Sequence, residues 1–340
     1  MTLVQPKLST LATSSGYKIN CIPLEAFPNF WAFAYLIQMG EWNVLIDTGS
    51  GSEISNSSLD EGIARTGLRI SDLTHILLTH GHIDHYGGLT YLRERTQASI
   101  GVHELDLGTI TTHEARLALL ENRLNDFLAK ADIPSDRRIE LLSMYRLTKK
   151  FYRSVPVDFT YGAQGMQIGP LELIHVPGHC AGHVALKLDD VIFCGDLILE
   201  QVIPHQSPEE LLPFMGIHHF LESITSFERW AGGATLILNG HDEPIKNLSQ
   251  GINQMRSRLA RRLDQTLDAL SEPRTIVETT EQVYRNTGGY NALLVIEKVG
   301  AYIEYLIQRG LVEIANPSEL AENPQAAIKY HRIEWPNVVC

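Results

Sequence analysis

Within six residues, His80-Gly81-His82-Ile83-Asp84-His85, the chain carries three imidazoles and a carboxylate. Neutral imidazole and carboxylate are ordinary protein donors to Zn2+ and similar divalent ions. In one tight loop, alternating side chains can turn toward one ion and the remaining pair toward a second. Further candidates stand apart along the chain at Asp47, His179, Asp196 and His241, and a carboxylate such as Asp196 can bridge two ions. Two ions roughly 3.5–4 Å apart lower the pKa of a shared water toward neutrality and clamp the oxyanion of an addition intermediate. The chemistry indicated is hydrolysis that needs no Ser or Cys nucleophile.

These groups are positioned by strand ends. Asp47 follows Val44-Leu45-Ile46, His80 follows the strand-like run 74–79, and His179 follows 171–176. Asp196 follows 191–195, and His241 follows the strand-like run 234–239 and Gly240. Short strands alternating with helical segments, such as 53–66, argue for a layered α/β architecture, in which loops at strand ends build sites on a rigid scaffold. Residues 31–46 read as two strands turning at Met39-Gly40-Glu41, and 208–230 as a helix.

Residues 111–153 have a different pattern. Leu117, Leu120, Leu124, Phe127 and Leu128 fall at helical spacing, and the pattern resumes after Pro134-Ser135, giving two helices. They either cover the core or form a lid with an apolar inner face. From residue 249 the pattern is helical (249–271, 274–286, 291–309) and ends in two short strand-like pieces, a winged-helix-like arrangement. The expected division is a domain over 1–250, with a helical insertion at about 104–160, and a C-terminal module over 251–340.

Composition narrows the class. With 340 residues, 44% of them hydrophobic, the chain can bury a large core. A formal net charge of −12 disfavours nucleic acid as a partner. The four cysteines, Cys21, Cys180, Cys194 and Cys340, form no close pair, which fits a reducing cytoplasm better than a disulfide framework. The first twenty residues show no secretory pattern, and no run approaches the ~18 apolar residues of a membrane span.

His80-Gly81-His82-Ile83-Asp84-His85 resembles the H-x-H-x-D-H signature of the metallo-β-lactamase superfamily. Leu45-Ile46-Asp47-Thr48-Gly49 resembles that family's first motif, Pro177-Gly178-His179-Cys180-Ala181-Gly182-His183 its third, Phe193-Cys194-Gly195-Asp196 its fourth and Asn239-Gly240-His241 its fifth. The motifs occur in the expected order across about residues 18–250. The resemblance implies an αββα sandwich of two packed sheets with helices outside. It implies that His80, His82 and His179 hold one metal, that Asp84, His85 and His241 hold a second, and that Asp196 bridges them. Asp47 would support the ligands from behind. Two divalent ions per chain are expected; Zn2+ suits the donors best, and Fe or Mn is allowed. Cys180 and Ala181 replace the Thr and Pro common in the third motif, at positions that are not ligands, and Cys180 reads as a small buried filler.

Around this set, His183 reads as lying behind the ligands or on the substrate side. Tyr86 reads as a donor to a substrate oxygen or as core packing. His219 faces substrate or starts a surface helix. Arg256, Arg258, Arg261 and Arg262 form the densest basic run; with Asp264 and Asp268 nearby they read as a solvated helix face rather than a phosphate site. The tail is similar to that of one branch of the superfamily, the β-lactamase-like protein 2 group, through Ile296-Glu297-Lys298-Val299 and residues 305–312. It reads as a cap over the site or a contact in a homodimer.

The expected partner is a small molecule. The preferred activity is hydrolysis of a thioester, ester or lactone with an apolar acyl group, with Asp84 or a metal-bound water handling the leaving-group proton. Phosphodiester hydrolysis, as in an endoribonuclease, is the second reading and would require a basic groove. A ligand sensor with little turnover is the third.

Overall fold

The computed structural model describes residues 6–285 and 288–333. Cys340 and the far ends of the 274–286 and 251–340 spans lie outside the described residues.

Two sheets face each other. The first runs in the order β1 (Ser9–Ala12), β2 (Lys18–Phe27), β3 (Phe30–Met39), β4 (Trp42–Ile46), β5 (His75–Leu77), β6 (Ser99–Val102) and β7 (Phe159–Thr160). Its first four strands are antiparallel, and the pairings from β4 to β7 are parallel. The second sheet contains β8 (Gln167–Ile168), β9 (Leu171–His175), β10 (Val184–Leu188), β11 (Val191–Phe193) and β12 (Leu236–Leu238), in the spatial order β12-β11-β10-β9-β8. Only its β11–β12 pairing is parallel.

The apolar runs of the central strands follow from burial on both faces. Val44, Ile46 and Leu77 point into the space between the sheets, where they meet Leu186, Phe193 and Leu238. The alternate residues Leu45, Ile76 and Ile100 point outward against Leu59 and Ile63 of α1 (Glu53–Arg65). Two short helices, α2 (Ile83–Tyr86) and α3 (Leu89–Arg93), follow β5, and α3 adds Leu89 and Leu92 to that layer. The result is an αββα sandwich.

The far face of the second sheet carries most of the remaining helices. The segment between β6 and β7 forms α4 (Glu104–Thr111), α5 (His113–Lys130) and α6 (Ser135–Lys149). Beyond β11 come α7 (Ile217–Trp230), α8 (Leu248–Ala269), α9 (Ile276–Val283), α10 (Tyr290–Gln308) and α11 (Pro317–Glu322). Ala185, Ile192 and Ile237 of the sheet share one buried cluster with Phe220 and Phe227 of α7, Met255 of α8, and Tyr302 of α10. Leu124 and Leu128 of α5 and Leu141 of α6 belong to the same cluster. The helices after residue 250 and the 111–153 pair therefore close one hydrophobic layer together.

The two terminal strand-like pieces pair as β13 (Val312–Ile314) and β14 (Tyr330–Arg332), antiparallel, with Glu313 opposite His331. The helix expected over 208–230 begins only at Ile217. Pro213 lacks an N–H, Phe214 takes a left-handed φ of 66°, and Gly216 caps the helix, so 208–216 cannot extend it.

Candidate metal centre

The parallel pairings β4–β5 and β11–β12 bring the ends of these strands out at the same edge of each sheet. Asp47 and His80 leave the first pair; Asp196 and His241 leave the second. The turn between β9 and β10 brings His179. The donor atoms of His80, His82 and His179 lie within 4.8 Å of one another, as do those of His80, His85 and Asp196, and those of Asp84, His85 and His241. All seven residues thus join in three overlapping sets.

Hydrogen bonds behind the imidazoles fix which nitrogen faces inward. His85 Nδ1 donates to Asp47 Oδ2 at 2.8 Å, His179 Nδ1 to the His205 carbonyl at 2.9 Å, and His241 Nδ1 to the Trp31 carbonyl at 2.8 Å. The Thr79 hydroxyl donates its single hydrogen to Asp47 Oδ2 at 2.7 Å, so at 2.9 Å from His80 Nδ1 it must accept. In each of the four rings Nδ1 is the donor, which leaves Nε2 facing the centre, the usual arrangement behind a metal-binding histidine.

The centre itself is short of positive charge. His80 Nε2, His179 Nε2 and Asp196 Oδ1 are buried without a hydrogen-bond partner. Facing lone pairs without a donor are costly in a buried site, and a divalent cation satisfies them. Burial and the neighbouring imidazoles hold His80 and His82 well below the usual histidine range, and burial with His82 does the same to His179, so all three are neutral donors. His85 goes the other way: burial opposes its charge, but Asp196 and Asp47 raise it well above the usual range. His241, also against burial, is pushed up to about 9, chiefly by Asp196. Asp196 is held well below the usual carboxylate range by His241 and His85, although burial opposes this. The pull of Asp196 on both imidazoles is a demand for cationic charge that a proton or a metal ion can meet. The donor set fits a pair of divalent ions.

A second group of residues positions the first. Asp47, at φ 59°, accepts the Thr79 N–H at 2.8 Å in addition to its bonds to His85 and the Thr79 hydroxyl. Asp106 of α4 accepts the Gly81 N–H at 2.7 Å and the Gly182 N–H at 3.0 Å, tying the His80–His85 loop to the His179 turn. The Cys180 thiol, its pKa raised by burial, points at this carboxylate, 3.3 Å from Oδ2. Glu297 of α10 accepts both the Ser207 hydroxyl and His205 Nε2 at 3.1 Å, and so holds the loop whose carbonyl anchors His179. Asp106 and His205 stand in no motif, and nothing in their local sequence marks them; Glu297 lies in the Ile296–Val299 segment noted above, but nothing there tied it to the metal centre.

The other expected residues are placed as follows. His183 is fully buried behind the cluster, its ring 4.8 Å from that of His80, and its Nε2 accepts the Asp196 N–H at 3.2 Å. The Tyr86 hydroxyl is engaged with His113 Nδ1 at 3.0 Å. His219 stands apart from the cluster, 3.4 Å from Glu209. Gly240 leaves room for the bridge position, because a Cβ there would meet Asp196 Oδ1 at 2.1 Å.

Fold and donor set together define a metallo-hydrolase, and the chain belongs to the Metallo-beta-lactamase superfamily, whose profile matches residues 32–241. Among individual relatives, it is 22% identical over 290 residues to the probable metallo-hydrolase YqjP of Bacillus subtilis, a match covering 80% of this chain and 86% of that one. It is 24% identical to the beta-lactamase-like protein 2 homolog of Caenorhabditis elegans, covering 82% of this chain and 79% of the other. A shorter match, 26% identical over 48% of this chain and 43% of the relative, is to a hydroxyacylglutathione hydrolase of Shewanella. In fold it is similar to the metallo-beta-lactamase family protein TTHA1429 of Thermus thermophilus, with a TM-score of 0.72 and 23% identity over 93% of this chain and 98% of that one.

Proposed function

We propose that this chain holds two divalent metal ions and hydrolyses a thioester, ester or lactone with an apolar acyl group. The observation that carries the reading is the convergence of inward-facing Nε2 atoms on the Asp196 carboxylate: that of His85 lies 3.4 Å from Oδ1, and those of His241 and His179 lie 3.0 and 3.5 Å from Oδ2. His80, His82 and His179 would hold one ion, Asp84, His85 and His241 the other, and Asp196 would bridge. Zn2+ suits this donor set, and Fe or Mn is compatible with it. A pair of such ions supplies a water ionised near neutral pH and polarises a carbonyl oxygen.

The chain's own residues supply orientation and proton handling. Asp47 and Thr79 keep the His85 and His80 rings turned inward. Asp84 Oδ2 lies 3.6 Å from His241 Nε2, at the rim of the cluster, and is the group we assign to the leaving-group proton.

The apolar acyl group is supported by the surface beside the cluster. A cavity of about 870 Å³ is lined by Phe27, Ile54, Leu147, Phe151 and Tyr152 among others. The Phe30 ring lies 6.1 Å from that of Phe27 and 4.7 Å from that of His241, connecting cavity and cluster. Phe151 and Ile54 are 76% and 61% exposed, an apolar excess that a bound acyl chain would cover. The named activity of the hydroxyacylglutathione hydrolase relative is in keeping with acyl transfer to water.

The phosphodiester reading has less support. Arg256 pairs with Glu228, Arg258 donates to the Leu199 and Glu200 carbonyls, and Arg262 donates to the Val283 carbonyl, so three members of the basic run are spent on structure. No described helix is long and apolar enough to cross a membrane.

The test is metal content by mass spectrometry on protein purified without added metal, with a hydrolysis screen over thioesters, esters, lactones and phosphodiesters. About two ions per chain and chelator-sensitive acyl hydrolysis are expected. Phosphodiester turnover alone would move the assignment to the second reading; a chain that binds no metal after reconstitution would end both.

A further inference from the structure

The cavity beside the cluster is walled from separate parts of the chain. The β2–β3 hairpin tip supplies Phe27, the first turn of α1 supplies Ile54, and the end of α6 supplies Leu147, with Phe151 just beyond it. Two of these walls are anchored at the metal centre. A Cβ on Gly51 would lie 2.2 Å from the Gly87 carbonyl oxygen, so the entry to α1 rests on the chain two residues past His85. On the other side, the hairpin runs into β3, whose Trp31 carbonyl accepts His241 Nδ1 at 2.8 Å and whose Phe30 ring lies 4.7 Å from that of His241. The cavity therefore borders the His85–His241 side of the cluster.

The lining is chemically one-sided. It contains no Lys, Arg or His, and its charged members are Glu25 and Glu94. Glu94 is paired with Arg95 at 3.1 Å. Glu25 accepts the Asn29 N–H at 3.0 Å and, among the described residues, forms no ion pair. One cation stands outside the lining: the Lys150 ammonium, 4.9 Å from the centre of the Phe151 ring. Most other polar side chains of the lining are spent within the protein, Tyr91 on Asp60, Thr148 on the Tyr145 carbonyl and Asn56 Nδ2 on the Gly51 carbonyl. Ile54, Leu147 and Phe151 all remain more than half exposed. Apolar walls of this kind gain most from a ligand that takes them out of water, and about 870 Å³ is near the upper end of the usual range for ligand cavities.

We infer that this groove selects an uncharged acyl chain of about eight to twelve carbons, with Ile54 and Phe151 closing over its outer part and Glu25 rejecting a chain that ends in a second carboxylate. This rests on the hydrolase reading above and names the substrate class within it. A carboxylate on the chain would leave water for a wall that offers it no cation and a like charge at Glu25.

The test uses full-length, metal-loaded protein and acyl-N-acetylcysteamine thioesters from butanoyl to decanoyl, with the monothioester of sebacic acid as the charged match for decanoyl. The value of kcat/KM should rise about twofold per added carbon, as for a chain covered on about half of its surface. Phe151→Ser and Ile54→Ser should each cut the decanoyl-to-butanoyl ratio about fivefold. The sebacic compound should be about tenfold or more slower than decanoyl, and Glu25→Gln, which keeps an acceptor for the Asn29 N–H, should narrow that gap about threefold. Turnover that ignores chain length in wild type and variants would overturn the groove assignment and leave the hydrolase reading standing. A sebacic compound as fast as decanoyl would overturn the role of Glu25. S-decyl- and S-butyl-N-acetylcysteamine are thioethers that cannot be hydrolysed. Calorimetric binding that favours the decyl compound and is weakened by Phe151→Ser, with no thioester turned over, would uphold the groove and reject the hydrolase reading.

Discussion

The carboxylate of Asp106 and the backbone of Gly182 are in direct contact: Oδ1 accepts the Gly182 N–H at 3.0 Å, and a Cβ on Gly182 would sit 2.6 Å from Asp106 Cγ. Because Oδ2 of the same carboxylate holds Gly81, one buried side chain ties together the two ligand segments that precede His82 and follow His179. Gly182→Ala should push Asp106 aside at a cost of about 1–3 kcal/mol, typical of overpacking. A lower melting temperature and weaker zinc binding in chelator competition are expected. Wild-type values for both would show that Asp106 braces nothing.

Asp47→Asn removes the charge that orients His85 and the acceptor of the Thr79 hydroxyl, and so acts on both His85 and His80. Loss of such a supporting acceptor lowers metal affinity by about 10–100-fold. The measurement is competition with a chromophoric chelator, and an unchanged affinity would remove Asp47 from the support of the site.

Glu297 reaches the site from α10. Glu297→Ala leaves the His205 Nε2–H and the Ser207 hydroxyl unpaired, a loss of about 1–3 kcal/mol for buried groups. The loop holding His179 should loosen, so metal affinity falls with stability. Glu297→Gln, which keeps one acceptor oxygen, should recover part of both. A variant that melts earlier yet binds metal normally would confine Glu297 to packing.

Lys298 gives a pH dependence away from the metal ligands. Burial first, then Arg262, lowers its pKa to about 8 from an ordinary 10.5, and its Nζ donates to the Ile203 carbonyl at 2.7 Å. The folded chain therefore binds this proton less tightly than the unfolded chain. The destabilisation is full below pH 8 and disappears as pH rises toward 10.5. Relative to Lys298→Met, wild type should gain stability between pH 8 and 10 by at most about 1.4 kcal/mol per pH unit. Parallel pH profiles of the two proteins in chemical denaturation would contradict the assignment.

Much of the fold was legible locally. The turn at Gly40, the helices at 53–66 and 249–271 and the break at Pro134-Ser135 all appear within two residues of the expected bounds, and the two terminal strand-like pieces do pair, because periodicity and turn chemistry act over short spans. Helix 208–230 was misjudged at its start, where Pro213 and Gly216 override an apolar pattern that continues through them. The short strands β1, β7 and β8 carry too few residues for alternation to show.

The sequence by itself marked the candidate donors, His and Asp placed where apolar strand-like runs end. The tertiary structure alone decided how those donors are held. The Nδ1 acceptors of His85, His179 and His241 lie 38, 26 and 210 residues away, and Asp106 meets Gly182 across 76. Such partners are set by how the two sheets stack and where the helices close over them. A hydrogen bond between distant segments leaves no periodic trace in either, so its members are visible only once the chain has folded.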